Sequence, residues 1–171
     1  RLLKAEKERK ELEFSVQASA DNVPERRIEL RKSYDFQKNS INVDYGLKNI
    51  GSEALEGRFA CEFNLSFPEV AKERVLFMID QNGSKVEVAD GKIDMDGVNE
   101  LTIQDRQNKT LITVSAGARG NFWSYPVYTM TKVYGEVRPV YQSTCLIFCW
   151  DCRLEPEEAW STRLTLRIEK K

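Results

Sequence analysis

Residues 121–168 constrain the fold more than any other stretch. They read NFWSYPVYTMTKVYGEVRPVYQSTCLIFCWDCRLEPEEAWSTRLTLRI. Two long runs rich in β-branched and aromatic residues flank a turn at Tyr134-Gly135-Glu136, and a third run, Trp160 to Ile168, follows a Leu-Glu-Pro-Glu-Glu turn. Branched and aromatic side chains pack well on a pleated surface and lose rotamer freedom in a helix, so these runs predict paired strands.

The same alternation of apolar and polar residues occupies most of the chain. Leu12, Phe14 and Val16 alternate with polar residues, and Pro24 breaks the run. Ile28, Leu30 and Tyr34 follow, then a hairpin turn at Lys38-Asn39-Ser40. Ile41, Val43, Tyr45 and Leu47 share one face before a turn at Asn49-Ile50-Gly51-Ser52. In the strand from Gly57 to Phe67, Phe59, Cys61, Phe63 and Leu65 face one way, while Arg58, Ala60, Glu62 and Asn64 face the other. Strands at 75–80 and 85–88 are joined by Gln81-Asn82-Gly83-Ser84, in which Asn and Gly tolerate positive φ. Asp90-Gly91 and Asp96-Gly97 punctuate the next stretch, and Gln107-Asn108-Lys109 joins Leu101–Asp105 to Thr110–Ala116. The expectation is an all-β fold, a large antiparallel β-sandwich of about eleven strands forming one domain over residues 11–171. Residues 1–10, rich in Lys, Glu, Leu and Arg, are expected as a charged linker or a short helix.

Charge and composition remove several function classes. The 26 Lys and Arg are interspersed among 27 Asp and Glu, so no basic stripe exists to displace counterions from nucleic acid. No apolar run is long enough for a membrane-spanning helix. The chain has no histidine, which excludes Ser-His-Asp and Cys-His catalysis and His-based metal sites on this chain. It opens without Met inside a charged stretch, as expected of a piece of a longer protein. A cytoplasmic location with reduced thiols is expected.

Several residue groups could carry chemistry. Phe122, Trp123, Tyr125 and Tyr128 could stack on the C–H faces of sugars, or fill the sandwich core as strand aromatics commonly do. Glu62 and Asn64 could line a groove or simply face solvent. One carboxylate does not make a glycosidase, which needs two at a set separation, and no second one pairs with Glu62 by spacing. Cys149 and Cys152 form a C-x-x-C, but residues three apart on a strand face opposite ways, so with Cys145 and Cys61 they read as free thiols. Asp94 and Asp96 lie in a segment with calcium-type oxygen ligands that fails EF-hand spacing. No cofactor is expected. Glu155-Pro156-Glu157-Glu158 reads as a solvated turn.

Three passages carry a family resemblance over about residues 27–168. The first is Ile41-Asn42-Val43-Asp44-Tyr45-Gly46-Leu47-Lys48-Asn49-Ile50-Gly51 with Leu55-Glu56-Gly57-Arg58-Phe59-Ala60-Cys61-Glu62-Phe63-Asn64-Leu65. The second is Leu101-Thr102-Ile103-Gln104-Asp105. The third is Trp123-Ser124-Tyr125-Pro126-Val127-Tyr128-Thr129, then Val140-Tyr141-Gln142-Ser143 and Trp150. Together they resemble the C-terminal β-sandwich domain of glycoside hydrolase family 57 α-amylases and 4-α-glucanotransferases. Residues 70–99 and the cysteine-rich strand depart from that pattern.

The resemblance implies a galactose-mutarotase-like supersandwich that follows an N-terminal catalytic barrel. The barrel holds the family's Glu nucleophile and Asp acid/base, so no catalytic residue is carried onto this chain. It implies a non-catalytic module that supports the barrel and offers α-glucan a surface at Glu62, Asn64, Trp123, Tyr125, Tyr128, Tyr141 and Gln142. Two other readings remain open at this point. One is a free-standing structural or interaction sandwich unrelated to glycans. The other is a sugar mutarotase or epimerase, whose acid/base chemistry would lack its usual His.

Overall fold

β9 holds the architecture together, because it belongs to both layers of the molecule. The computed structural model describes residues 2–6, 10–20, 23–67, 75–81, 83–88, 92–133 and 135–170. These form eleven strands: β1 (Leu2–Glu6), β2 (Glu11–Ser19), β3 (Arg27–Phe36), β4 (Ser40–Asn49), β5 (Leu55–Leu65), β6 (Val75–Gln81), β7 (Ser84–Val88), β8 (Ile93–Asp105), β9 (Thr110–Val133), β10 (Glu136–Leu154) and β11 (Ala159–Lys170). Neighbouring strands run antiparallel, in the order β1-β2-β3-β4-β11-β9-β8-β6-β7, and β10 pairs with both β9 and β5. β9 pairs with β11 through residues 110–116 and with β10 through residues 121–133. It therefore leaves one layer after Ala116 and enters the other at Asn121. The expected all-β sandwich is the observed fold.

The two layers meet through aromatic side chains. Tyr45 on β4 contacts Phe59 on β5 at a ring separation of 5.4 Å, and Trp150 on β10 contacts Trp160 on β11 at 5.5 Å. Phe122 and Phe148 pack at 4.7 Å beside them, both fully buried. Burying each such side chain stabilises the fold by about 1.5–3 kcal/mol. Trp150 also crosses over β9, donating its indole N–H to the Ala118 carbonyl at 3.2 Å. Position 120 must be glycine for that crossing: a Cβ there would collide with the Cys149 carbonyl oxygen and stand 2.7 Å from the indole nitrogen.

Asn49 ties the turns at one end of the sandwich. Fully buried, it donates to the carbonyls of Glu53 (2.8 Å) and Leu154 (2.9 Å) and accepts from the Gly51 N–H (2.9 Å). Its backbone pairs with Glu158 and Glu157 across the last turn. A buried amide with its hydrogen bonds met fixes that turn at little desolvation cost.

Two local expectations change. Within residues 1–10 the structure shows neither linker nor helix at Leu2–Glu6, but strand β1, paired with β2 from Leu2↔Phe14 to Glu6↔Glu11. A helix this short cannot repay its nucleation cost, whereas the open edge of β2 supplies ready hydrogen-bond partners. Asp96-Gly97 does not separate strands; it is a bulge inside β8, with Gly97 at φ 71°. Asp90-Gly91, Asn82 and Tyr134 lie outside the described residues.

Candidate functional site

Strand register gathers four of the proposed site residues on one surface. Glu62 stands opposite Ile147, and Ile147 opposite Trp123; Asn64 stands opposite Cys145, and Cys145 opposite Tyr125. Residues directly opposed across a sheet point the same way. Glu62, Asn64, Trp123 and Tyr125 therefore share the outer face of the β5-β10-β9 layer, with Cys145, Ile147 and Cys149 between them. Phe59, Phe122, Phe148 and Trp150 occupy the opposite face, in the core. Asp94 extends the outer row, opposite Trp123.

The polar groups of this face are tied to one another. Asn64 donates to Glu62 Oε1 at 2.7 Å. The Arg58 guanidinium lies over the Trp123 ring, 5.3 Å from its centre, and is anchored by Asp151 Oδ1 at 2.7 Å. That hydrogen bond raises Arg58 and holds the Asp151 carboxyl below its usual range. Tyr125 is 47% exposed, and its hydrogen bond with the Cys145 thiol pushes the phenol up. Burial raises Cys145 and Cys149, which keeps both as thiols at neutral pH. The face thus offers two amphipathic rings with an amide and a carboxylate at the rim. That arrangement can stack on a sugar's C–H face and hydrogen-bond its hydroxyls.

The other three proposed residues lie elsewhere. Gln142 is the extra residue of a bulge between Tyr141 and Ser143. The alternation of β9 places Tyr128 opposite to Trp123 and Tyr125, and the bulge in β10 turns Tyr141 the same way as its partner Tyr128. Tyr128 packs edge-on against Tyr141 at 6.0 Å, and the Tyr141 hydroxyl shares a hydrogen bond with Thr144 Oγ1 at 2.9 Å. Tyr128 sits on the ribbon that β9 and β10 form beyond the end of β5, while Tyr141, at its base, packs against the core and donates to the Leu65 carbonyl at 3.3 Å. This ribbon leaves Tyr128, Met130, Val137 and Val140 exposed.

The cysteines are all free. Cys149 lies on the outer face, while Cys152 packs against the core. Among the described residues no group of three or more acidic or Cys side chains converges as a metal site, and Asp94 and Asp96 join no such group.

A second feature was not visible in the sequence. An open cleft of about 630 Å³ lies where β9 leaves β11, lined by Arg31, Asp44, Gly46, Gly117, Thr162 and Arg163 among others. Arg163 grips Asp44 with two hydrogen bonds, at 2.6 and 2.9 Å. Its residues come from β2, β3, β4, β9 and β11, which no local pattern joins. The glycines at 46 and 117, which interrupt strand runs, were the available signal.

The family described as "Alpha-amylase/4-alpha-glucanotransferase, C-terminal" matches residues 2–164. No curated protein sequence matches the chain. A solved structure described as a candidate aldose 1-epimerase from Escherichia coli K12 superposes with a TM-score of 0.70 at 12% identity, covering 100% of this chain and 68% of that one. A galactose mutarotase related enzyme from Lactobacillus acidophilus gives 0.64 at 11%, covering 99% and 71%. The 4-alpha-glucanotransferase from Thermococcus litoralis gives 0.68 at 10%, covering 98% of this chain and 22% of that enzyme. At such identities these likenesses show a shared fold, a galactose-mutarotase-like sandwich.

Proposed function

This chain belongs to the family of α-amylase/4-α-glucanotransferase C-terminal domains, and from that premise we propose that it is a non-catalytic module of an α-glucan-processing enzyme of the glycoside hydrolase family 57 type. It supports the enzyme's catalytic domain and presents α-glucan with a stacking face. The observation that carries the second half is the shared face of Trp123, Tyr125, Glu62 and Asn64. Rings of this kind bind the apolar face of a pyranose, and the rim groups take its hydroxyls. Arg58, already stacked on Trp123, marks that ring as a surface that accepts a flat or cationic cover. A sugar would displace it or stack beside it. Contacts this few correspond to millimolar-to-micromolar affinity, roughly −4 to −8 kcal/mol.

The support role is read from the ribbon. A two-stranded ribbon is marginal in water by itself, and this one exposes Met130 at 67% and Val137 at 63%. These side chains are the surface offered to the catalytic domain. Anomerisation of sugars, the reaction the names of the epimerase-like and mutarotase-like neighbours point to, does not transfer on a shared fold alone.

A titration of the chain with maltoheptaose, followed by tryptophan fluorescence and amide shifts, tests the binding half. Saturable changes at Trp123, Tyr125 and Asn64 are expected. Spectra unchanged through millimolar sugar would remove the claim. For the support half, the parent enzyme with Met130→Asp and Val137→Asp should lose thermal stability of its catalytic domain. An unaltered melting profile would contradict it.

A further inference from the structure

The two layers of the sandwich do not end together. β5 is the outermost strand of the smaller layer; among the described residues it pairs with β10 alone. Phe59 on β5 packs against Tyr45 on β4, which places β5 over β4. The larger layer continues past that point through β3, β2 and β1. At about 4.8 Å per strand this overhang is about 14 Å wide. Its inward face is apolar. Val16 stands opposite Leu30 and Leu30 opposite Leu47; Leu12 stands opposite Tyr34 and Tyr34 opposite Val43. Leu30 and Tyr34 pack against the core, whereas Phe14 and Val16, on the same face, are 37% and 53% exposed. A groove of about 190 Å³ opens between β5 and the overhang, with Ile28 and Leu47 on one wall and Leu55 and Phe59 on the other.

β5 lacks the usual defences of a strand edge. Open edges are normally short, bulged, charged on the inward side or broken by proline. β5 runs for 11 residues in unbroken register with β10. It contains no proline, and its core-side residues, Leu55, Gly57, Phe59, Cys61, Phe63 and Leu65, carry no charge. By contrast β1, at the edge of the larger layer, has 5 residues and a register shift. In an edge strand, alternate residues point both backbone groups away from the single partner. β5 therefore presents a row of open donors and acceptors beside an uncovered apolar face. One charge stands on that face. Lys32, opposite Phe14 and Tyr45, holds its ammonium 4.9 Å and 5.1 Å from the ring centres of Tyr34 and Tyr45. Among the described residues, rings rather than a carboxylate meet it.

We propose that β5 and the overhang accept an extended segment of the parent enzyme's own polypeptide, from outside these 171 residues, as a further strand of the smaller layer. This rests on the reading of the chain as a module of a longer enzyme. The added strand pairs with β5 and lies over β3. It turns alternate apolar residues toward Phe14, Val16 and Leu30 and sets an Asp or Glu against Lys32. Backbone pairing supplies its affinity and the alternate side chains its specificity. A strand without the carboxylate would leave Lys32 a covered cation with no opposite charge. The matched part is 68% and 71% of the two epimerase-like neighbours, so the same fold there has further residues to place. A second copy does not fit. Two β5 strands paired antiparallel about a two-fold axis would drive both overhangs, each about 14 Å wide, into one space.

The test is hydrogen exchange, read residue by residue, on the parent enzyme and on the 171-residue chain. In the chain alone, alternate amides of residues 56–64 should exchange freely, as at an edge. In the parent both sets should be protected, the open set by at least about a hundredfold more than in the chain. Val16→Asp should leave β2 and β3 of the chain alone as protected as in the unaltered chain, because its side chain is exposed there. In the parent it should cut β5 protection at least about tenfold. Lys32→Glu should cut that protection further than Lys32→Met, the sign of a carboxylate opposite. Alternate amides that exchange equally fast in chain and parent would overturn the proposal. So would protection of both sets in the chain alone that rises with its concentration, the mark of a second copy. Equal losses in the two Lys32 variants would overturn the charged contact. Protected β5 amides with melting unaltered by Met130→Asp and Val137→Asp would sink the ribbon contact and leave this strand standing. The opposite pair of results would sink the strand alone.

Discussion

Trp150 and Trp123 lie on neighbouring strands and meet opposite fates. Trp150 is 6% exposed, sandwiched among Phe59, Phe148 and Trp160 with its N–H bonded to the Ala118 carbonyl. Trp123 lies on the outer face under Arg58. Their difference is one of parity. β10 and β9 each send alternate residues inward and outward, and the two tryptophans fall on opposite phases. The lesson is that an aromatic residue in a strand has no fixed role; its phase relative to the core decides between packing and surface chemistry. Plain alternation along β9 keeps Tyr128 off the Trp123 face, and the bulge at Gln142 turns Tyr141 the same way as Tyr128.

The sharpest way to break this contrast is Trp150→Ala. It removes the centre of the inter-layer cluster and should cost about 3–5 kcal/mol in denaturant unfolding. A loss below about 1 kcal/mol, the size of a surface substitution, would erase the distinction between the two tryptophans. Gly120→Ala should come next. The added methyl meets the Cys149 carbonyl and the Trp150 indole, so about 1–3 kcal/mol is expected, with near-ultraviolet circular dichroism of the tryptophans altered. A neutral result would mean that β9 does not need glycine to cross under Trp150.

A smaller effect is expected from pH. Burial raises the Cys61 thiol, on the core face of β5, to about 11. In the unfolded chain a thiol titrates near about 8.5. The unfolded state thus releases its proton first, and the stability tied to Cys61 declines as pH rises from about 8.5 through about 11. Burial also pushes the Tyr45 phenol up, which adds a decline in the same direction above its unfolded value. Cys61→Ala should flatten part of this slope in urea melts across that range. An unchanged slope would show that the core thiol stays solvated. This sharpens the comparison, because Cys145 and Cys149, although on the outer face, are also buried and raised. They should resist alkylation at neutral pH, leaving the rings and the rim as the reactive surface of that face.

Much of the fold was legible in the residues. Alternation placed Phe59, Cys61 and Phe63 on one face and Glu62 and Asn64 on the other, and the turns at Lys38-Asn39 and Gln107-Asn108-Lys109 join the strands expected of them. Three things were not legible. The union of 110–116 and 121–133 into one strand depends on β9 passing between layers, which needs both partners in view. The bulge at Gln142 has no distinctive residue, since the extra position is set by its fit to β9. β1 was masked by helix-prone composition, because propensity is weak against an open sheet edge. Of the candidate site, the pairing of Trp123 and Tyr125 with Glu62 and Asn64 rested on register across β10, and the cleft where β9 leaves β11 on contacts distant in sequence.

The most direct measurement is Trp123→Ala, assayed for both unfolding and maltoheptaose affinity. The account predicts stability within about 1 kcal/mol of the parent chain, with affinity at least about tenfold weaker, a single lost stacking contact. A large loss of stability with affinity retained would place Trp123 with Trp150 in the core and contradict the division of the molecule into a packed face and a binding face.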